Sequence, residues 1–342
     1  MVINKKTQEL IQSLMKKHPN TLLTVGALHQ GKTTFKLFDA RGEIPYESHV
    51  YEIASITKTF TTSLLAKYIH TGQMNLNDSI AKYIPELDER KYYPTLKRLA
   101  THTGGYKTEA LTKREILKIN LKAMKAATGE KRYYWSNYMD YKKMIWFAKR
   151  HKLQDKDYEH SYTNYSVSLL GQGISQMVGR PFKELMTDFI RQDLGLKQTK
   201  YGVDRRDVLT GYVGDENVGN ENFKAGECDI PAHYLTSTAE DLLAFARMNM
   251  EEQPKFLGLC HEITSIDKPQ YDMGLGWIFL NEKEPYSFFH DGGSEGFSSA
   301  LAFTKEKDFA LTILANSGMT KAGDGEMFFQ LARAVLVENL EN

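Results

Sequence analysis

Along residues 4–17, Ile, Leu and Met recur at helical intervals among lysines and glutamine, and the pattern predicts an amphipathic helix. The period then changes. Residues 21–40 carry two β-rich runs on either side of His29-Gln30-Gly31-Lys32, which is a hairpin signal. Near the other end, residues 274–280, 286–290 and 298–316 read as three or four further strands, and residues 327–340 close with a helix. Between about residues 91 and 211 strand signals are scarce, and periodic helical segments are joined by polar loops. The expected fold class is α/β: an antiparallel sheet flanked by N- and C-terminal helices, with an inserted mainly helical lobe. Residues 1–90 and 212–342 would form the α/β lobe from both chain ends and residues 91–211 the helical one, and a cleft between two such lobes is a usual place for a ligand site. The chain has no internal repeat and no low-complexity tract.

Length and charge narrow the classes. The 342 residues suit one large domain or two lobes that share a boundary. Lys plus Arg number 44 against 43 Asp plus Glu, so no general electrostatic pull toward nucleic acid or an anionic membrane exists. No run of apolar residues is long enough for a transmembrane helix. The N-terminus, MVINKKTQELIQSLMKKHP, scatters charges where a signal peptide needs an unbroken apolar stretch. A cytoplasmic location is the expectation, with a mature secreted form that has lost its leader as the alternative. Cys228 and Cys260 form neither a CxxC pair nor a disulfide framework.

One segment stands out chemically. YEIASITKTFTTSLLAKY (residues 51–68) places Ser55 three residues before Lys58 in otherwise apolar and hydroxyl-bearing surroundings. Ser-x-x-Lys occurs four times in the chain, and only this copy has such flanks; Ser13/Lys16, Ser79/Lys82 and Ser265/Lys268 lie in charged, turn-like or loop-like contexts. If residues 53–67 are a helix, Ser55 and Lys58 share a face near its N-terminus, where the macrodipole favours negative charge on the serine. A poorly solvated lysine there can accept a proton and activate a serine nucleophile. The plainer alternative is a lysine that snorkels to the surface and a serine that caps the helix.

Further stretches bear on that choice. HSYTNYSVSLLGQGISQMVGRPF (residues 160–182) carries Tyr162-Thr163-Asn164 just before a helix, and FFHDGGSEGFSS (residues 288–299) carries His290-Asp291-Gly292 at the end of a strand. PAHYLTSTAEDLLAFARM (residues 231–248) has a good helix-capping sequence. Together with LATHTGGY, DMGLGW and DLGLKQT, this ordered set closely resembles the serine β-lactamase and penicillin-binding-protein superfamily. The likeness is greatest to the class C branch, with its D-alanyl-D-alanine carboxypeptidases, esterases and D-amino-acid peptidases. The resemblance implies that Ser55 is the acylated nucleophile, Lys58 its proton partner and Tyr162 the other half of the acid/base pair. It also implies that Asn164 donates to the substrate carbonyl, that His290, Asp291 and Gly292 form the substrate-binding strand motif, and that the N–H groups of Ser55 and Gly293 make the oxyanion hole. Each of these residues taken singly has an ordinary structural role as turn, cap or strand end.

Departures from the family pattern point to a substrate class. Where β-lactamases carry Lys-Thr-Gly, this chain has His290, only partly charged near pH 7, followed by the acid Asp291. If Asp291 points into the cleft it opposes an anionic substrate and suits one carrying an amine, such as a D-aminoacyl ester or amide. The expectation is a cofactor-free serine hydrolase acting on a small ester, amide or D-amino-acid peptide, ranked above a true β-lactamase and above a non-catalytic penicillin-binding or sensor protein. A small-molecule or short-peptide substrate is the expected partner, without nucleic acid or metal. DENVGNEN (residues 215–222) lacks a calcium loop's ligand spacing, and the aromatic run 133–147 reads as core and cleft wall of the helical lobe.

Overall fold

The computed structural model describes residues 3–107, 114, 115, 117, 139–202, 205–218, 226–262, 264–266, 272–280, 287–318 and 324–340. In chain order its strands are β1 (Leu23–His29), β2 (Lys32–Asp39), β3 (Gly42–Ile44), β4 (Tyr51–Glu52), β5 (Lys200–Tyr201), β6 (Tyr212–Val213) and β7 (Glu216–Asn217). There follow β8 (Leu235–Ser237), β9 (Ser265–Ile266), β10 (Asp272–Met273), β11 (Ile278–Phe279), β12 (Phe288–Gly293), β13 (Ser298–Thr304) and β14 (Phe309–Ala315). Nine of them make one antiparallel sheet in the order β3-β2-β1-β14-β13-β12-β11-β10-β9. The first and last strands of the chain therefore lie side by side at its centre. β9 and β10, two residues each, were not legible as strands. The hairpin β1–β2 turns through Gln30 (φ 48°) and Gly31 (φ 72°), the two left-handed residues that match the twist of its strands.

Alternation along each strand assigns the two faces. Phe309, Leu311, Ile313 and Ala315 of β14 pack with Ile11, Leu14, Phe328, Leu331 and Val335 of the terminal helices Lys5–Lys17 and Asp324–Leu340. Ala310 and Leu314 point the other way, toward Leu242 and Phe245 of the helix Ala239–Glu251 and onward to Phe60 and Leu64. Both faces are covered, which explains why β13 and β14 are buried throughout instead of half-exposed.

The second core continues into the helices Thr57–His70 and Asn164–Val178. The segment 91–211 contributes the helices Leu96–Ala100, Tyr141–Arg150, Asn164–Val178 and Phe182–Asp188, and also β5, which joins β4 and β8 in a small sheet ordered β4-β8-β5. Part of the aromatic run, residues 133–138, lies outside the described residues; within the rest, Met144 and Phe147 are buried in this core while Trp146 faces solvent.

Candidate active site

Ser55 owes its position to a sharp change of chain direction. β4 pairs with β8, Ile53 N–H donates to the Leu235 carbonyl at 3.0 Å, and Ala54 then adopts φ 44°. A left-handed alanine costs roughly 1–2 kcal/mol, so the surrounding packing must hold it there. The chain next makes the 3-10 turn Ala54–Ile56 and only then enters the α-helix Thr57–His70. The helix expected over 53–67 thus begins later, and Ser55 stands on the turn at its entrance. The left-handed residue redirects the backbone and explains the difference.

Lys58 lies in the first turn of that helix, every residue of which from Thr57 to Ala66 is buried, and its side chain is wholly removed from solvent. Oxygen atoms replace the lost water. Nζ donates to Ser55 Oγ at 2.9 Å, to Asn164 Oδ1 at 2.8 Å and to the Ala232 carbonyl at 2.9 Å. It also sits 4.8 Å from the centre of the Tyr162 ring. The snorkelling alternative is excluded, since a lysine reaching the surface could not be buried on these partners.

The helix Asn164–Val178 supplies the facing side. Thr163 caps it, its side chain accepting from the Ser166 N–H, so Asn164 begins the helix with its amide oxygen on Lys58. Tyr162, just outside, is about half exposed, with its ring 4.7 Å from that of His102 and 6.4 Å from that of His290. The sequence reading brought together Ser55, Lys58, Tyr162 and Asn164, and the structure places the other three around the Lys58 nitrogen.

β12 closes the site. His290 pairs with Leu301 and so faces the same side as the core around the helix Thr57–His70. Its Nδ1 donates to the Asp291 carbonyl at 2.6 Å. Burial, and next the charge on Lys58, push the imidazole down to about 3, so it is neutral at pH 7 and not partly charged. Gly292 presses against the nucleophile's backbone: a Cβ there would lie 2.4 Å from the Ile53 carbonyl and 3.0 Å from the Ser55 nitrogen. Gly293 has open space on its side of the strand. Asp291 pairs with Ala300, on the face opposite His290, and is exposed, so strand alternation turns it away from the cleft and the expected opposition to an anionic substrate is not met. Desolvation raises its carboxyl above the ordinary range, opposed by a backbone hydrogen bond and then by Lys58.

Other participants gave no signal by residue type. The Ala232 carbonyl is a backbone acceptor. His102, within LATHTGGY, is buried at φ 57° beside Tyr162, and burial followed by Lys58 drives its imidazole well below the ordinary range. Burial and Lys58 likewise bring His233 down to about 3. The other Ser-x-x-Lys copies separate cleanly: Ser13 and Lys16 are exposed on the first helix, Ser79 caps the short turn Ile80–Lys82, and Ser265 lies in β9 with Lys268 outside the described residues. Cys228 and Cys260 are unpaired buried thiols, each pushed up to about 12 by burial. Among the described residues no cluster of His, Cys, Asp and Glu is arranged to hold a metal ion, and no helix is long and apolar enough to cross a membrane. Asp215 and Glu216 sit in the β6–β7 hairpin, and residues 219–222 of the calcium-like stretch lie outside the described residues.

The mixed α/β fold, with a partly exposed Ser55 beside the buried Lys58 at a helix entrance, defines the class: a serine hydrolase. The chain belongs to the Beta-lactamase family, whose profile matches residues 7–335. It is 25% identical over 317 residues to a "Beta-lactamase" of Pseudomonas fluorescens, covering 89% of this chain and 81% of that one. Identity to "Protein flp" of Staphylococcus aureus strain MW2 is 24% over 280 residues, 78% of this chain; the chain spans about half the length of these staphylococcal relatives, 52% of this one. In fold it is similar to a class C β-lactamase from Rhodobacter sphaeroides (TM-score 0.75, 17% identity, 97% of this chain and 100% of that one). It is similar also to a D-stereospecific amidohydrolase from a Streptomyces species (TM-score 0.73, 20% identity, 97% and 98%).

Proposed function

We propose that this protein hydrolyses a small ester, amide or D-amino-acid peptide through an acyl-enzyme on Ser55. The observation that carries the reading is the 2.9 Å contact between Lys58 Nζ and Ser55 Oγ at a lysine with no solvent exposure. Ser55 Oγ attacks the substrate carbonyl, and its proton passes to the Lys58–Tyr162 pair. The tetrahedral oxyanion is received by the N–H groups of Ser55 and Gly293, and Asn164 donates to the substrate through its amide nitrogen. The leaving group then departs with the proton, and water releases the acyl group by the reverse route. Catalysis would take place between the lobe of residues 1–90 and 212–342 and the helical lobe of residues 91–211. The neutral His290 supplies no cation for a substrate carboxylate, and Asp291, on the opposite face of β12, takes no part in this preference. This favours neutral substrates over anionic ones, and the similarity in fold to a D-stereospecific amidohydrolase from a Streptomyces species supports an amide among the candidates.

Intact-mass analysis after exposure to a fluorophosphonate and, separately, to a penicillin tests this reading. Wild type is expected to gain one fluorophosphonate adduct that Ser55→Ala lacks. A stable penicillin adduct would indicate a penicillin-binding peptidase, and rapid nitrocefin turnover a true β-lactamase. Wild type without an adduct from either reagent would leave a non-catalytic binder.

A further inference from the structure

Glu52 takes no part in the chemistry above, yet it lies three residues before the nucleophile and is only 4% exposed. Its Oε2 accepts from Ser294 Oγ at 2.8 Å. Ser294 directly follows Gly293, and its own N–H donates to the Phe297 carbonyl at 2.9 Å, closing the turn between β12 and β13. A second tie lies behind the first: Ser299 Oγ, on β13, donates to the Ile53 carbonyl at 2.9 Å. The β12–β13 hairpin is thus fastened to the nucleophile segment at two points. On the acyl-enzyme reading, each point is close to a residue that would present its N–H to the oxyanion, Gly293 beside Ser294 and Ser55 two residues after Ile53.

We propose that Glu52 is a positioning residue for the oxyanion hole: by holding the Ser294 hydroxyl it sets the spacing between the N–H groups of Gly293 and Ser55. This rests on the acyl-enzyme reading. Two donors can stabilise one oxygen only if both lie within hydrogen-bond distance of the same point, so a drift of a few tenths of an ångström weakens them together. The charge state of the carboxyl suits the task. Desolvation, aided by Glu295 and opposed by the Ser294 hydrogen bond, lifts it to about 8. At neutral pH it is a protonated acid, which can hold Ser294 without placing a fixed negative charge beside the forming oxyanion.

The test compares Glu52→Leu, Glu52→Gln, Ser294→Ala and the double variant Glu52→Leu/Ser294→Ala on a matched pair of substrates, an oxoester and its thionoester. Fluorophosphonate titration counts the competent molecules in each preparation, so poor folding does not enter the rates. Glu52→Leu and Ser294→Ala are each expected to lower oxoester kcat about tenfold, less than the loss of a whole oxyanion donor, with KM within about twofold. The double variant should be no worse than either single one, because both break the same tie. Glu52→Gln, neutral and able to accept from Ser294, should keep kcat within about threefold of wild type. The thionoester, whose larger sulfur is poorly matched to the hole, should lose much less than the oxoester. Wild-type kcat in the Leu and Ala variants, or equal losses on both esters that add in the double variant, would overturn the inference. A wild type that forms no adduct at Ser55 would instead overturn the acyl-enzyme reading beneath it.

Discussion

A buried lysine amine survives without water only where other dipoles stand in its place, and at Lys58 three oxygens from three separate parts of the chain do so. The lysine therefore depends on the backbone being where it is, and the neighbouring glycines show how tightly that backbone is set. At Gly292 an added methyl group would lie 2.4 Å from the Ile53 carbonyl oxygen and 2.5 Å from Ser299 Oγ, closer than real Cβ contacts come. Gly292→Ala must push β12 away from the nucleophile turn. Its expected cost is about 1–3 kcal/mol of stability, together with a loss of acylation rate of roughly a hundredfold. Gly293→Ala, one residue on, meets nothing within 4 Å and should change stability by less than about 0.5 kcal/mol. Thermal unfolding and fluorophosphonate labelling of the pair check both numbers. Equal stabilities for the two variants would mean that β12 is not seated against Ser55 as described.

Elements carry the next level of control, and they do so at a distance. Gly171, two turns into the helix Asn164–Val178, faces Pro231, whose ring would lie 2.3 Å from an added Cβ. Pro231 cannot swing aside, and the next carbonyl, that of Ala232, holds Lys58. Gly171→Ala should therefore slow acylation at Ser55 at least tenfold without touching the site, because a shift of about 1 Å in a positioning group costs that much or more. Gly173→Ala on the same helix meets the far end of the Ile80 side chain at 2.5 Å, which can rotate away, and its labelling rate should stay within about threefold of wild type. Comparable slowing in both variants would mean that the loop at 229–232 does not transmit the strain. This level also marks where sequence reading stops. The hairpin β1–β2, the terminal helices and the long strands β13 and β14 were legible, because each has a period that one face or both must bury. Ser55, Lys58, Tyr162 and Asn164 were legible as an ordered set of motifs. The short strands β9 and β10 were not, since two residues carry no period. Nor were Ala54, whose left-handed conformation no alanine advertises, the Ala232 carbonyl, which is common to every residue, and Glu52, whose importance lies in being buried.

Over the whole molecule, the buried titratable groups shape how stability depends on pH. His233 and His290 are brought down to about 3 and His261 to about 4, in each case first by burial. Between those values and about 6.5 the unfolded chain binds protons that the folded chain refuses, so each histidine makes stability rise with pH across that window. Glu52 does the opposite. Raised to about 8, it keeps its proton in the folded state while the unfolded carboxyl loses it near 4.5, and stability falls with pH between the two. One group contributes about 1.4 kcal/mol per pH unit. From pH 4.5 to 6.5 these three histidines and His102, also held well below its ordinary range by burial, outweigh one carboxyl, a net rise of at most about 4 kcal/mol per unit; from 6.5 to 8 the carboxyl acts alone and the slope reverses to about a third of that size. The melting temperature should therefore peak near pH 6.5, with a steep acid flank and a shallow alkaline one. Glu52→Gln removes the alkaline flank, so this variant should melt several degrees above wild type at pH 8, and the two should coincide at pH 4, where Glu52 is protonated in both states. Calorimetric scans across pH 4–8.5 decide the matter: a wild-type melting temperature that keeps climbing to pH 8.5, or a Glu52→Gln gain that persists undiminished at pH 4, would show that the Glu52 carboxyl is not the neutral, buried acid on which the proposed oxyanion hole depends.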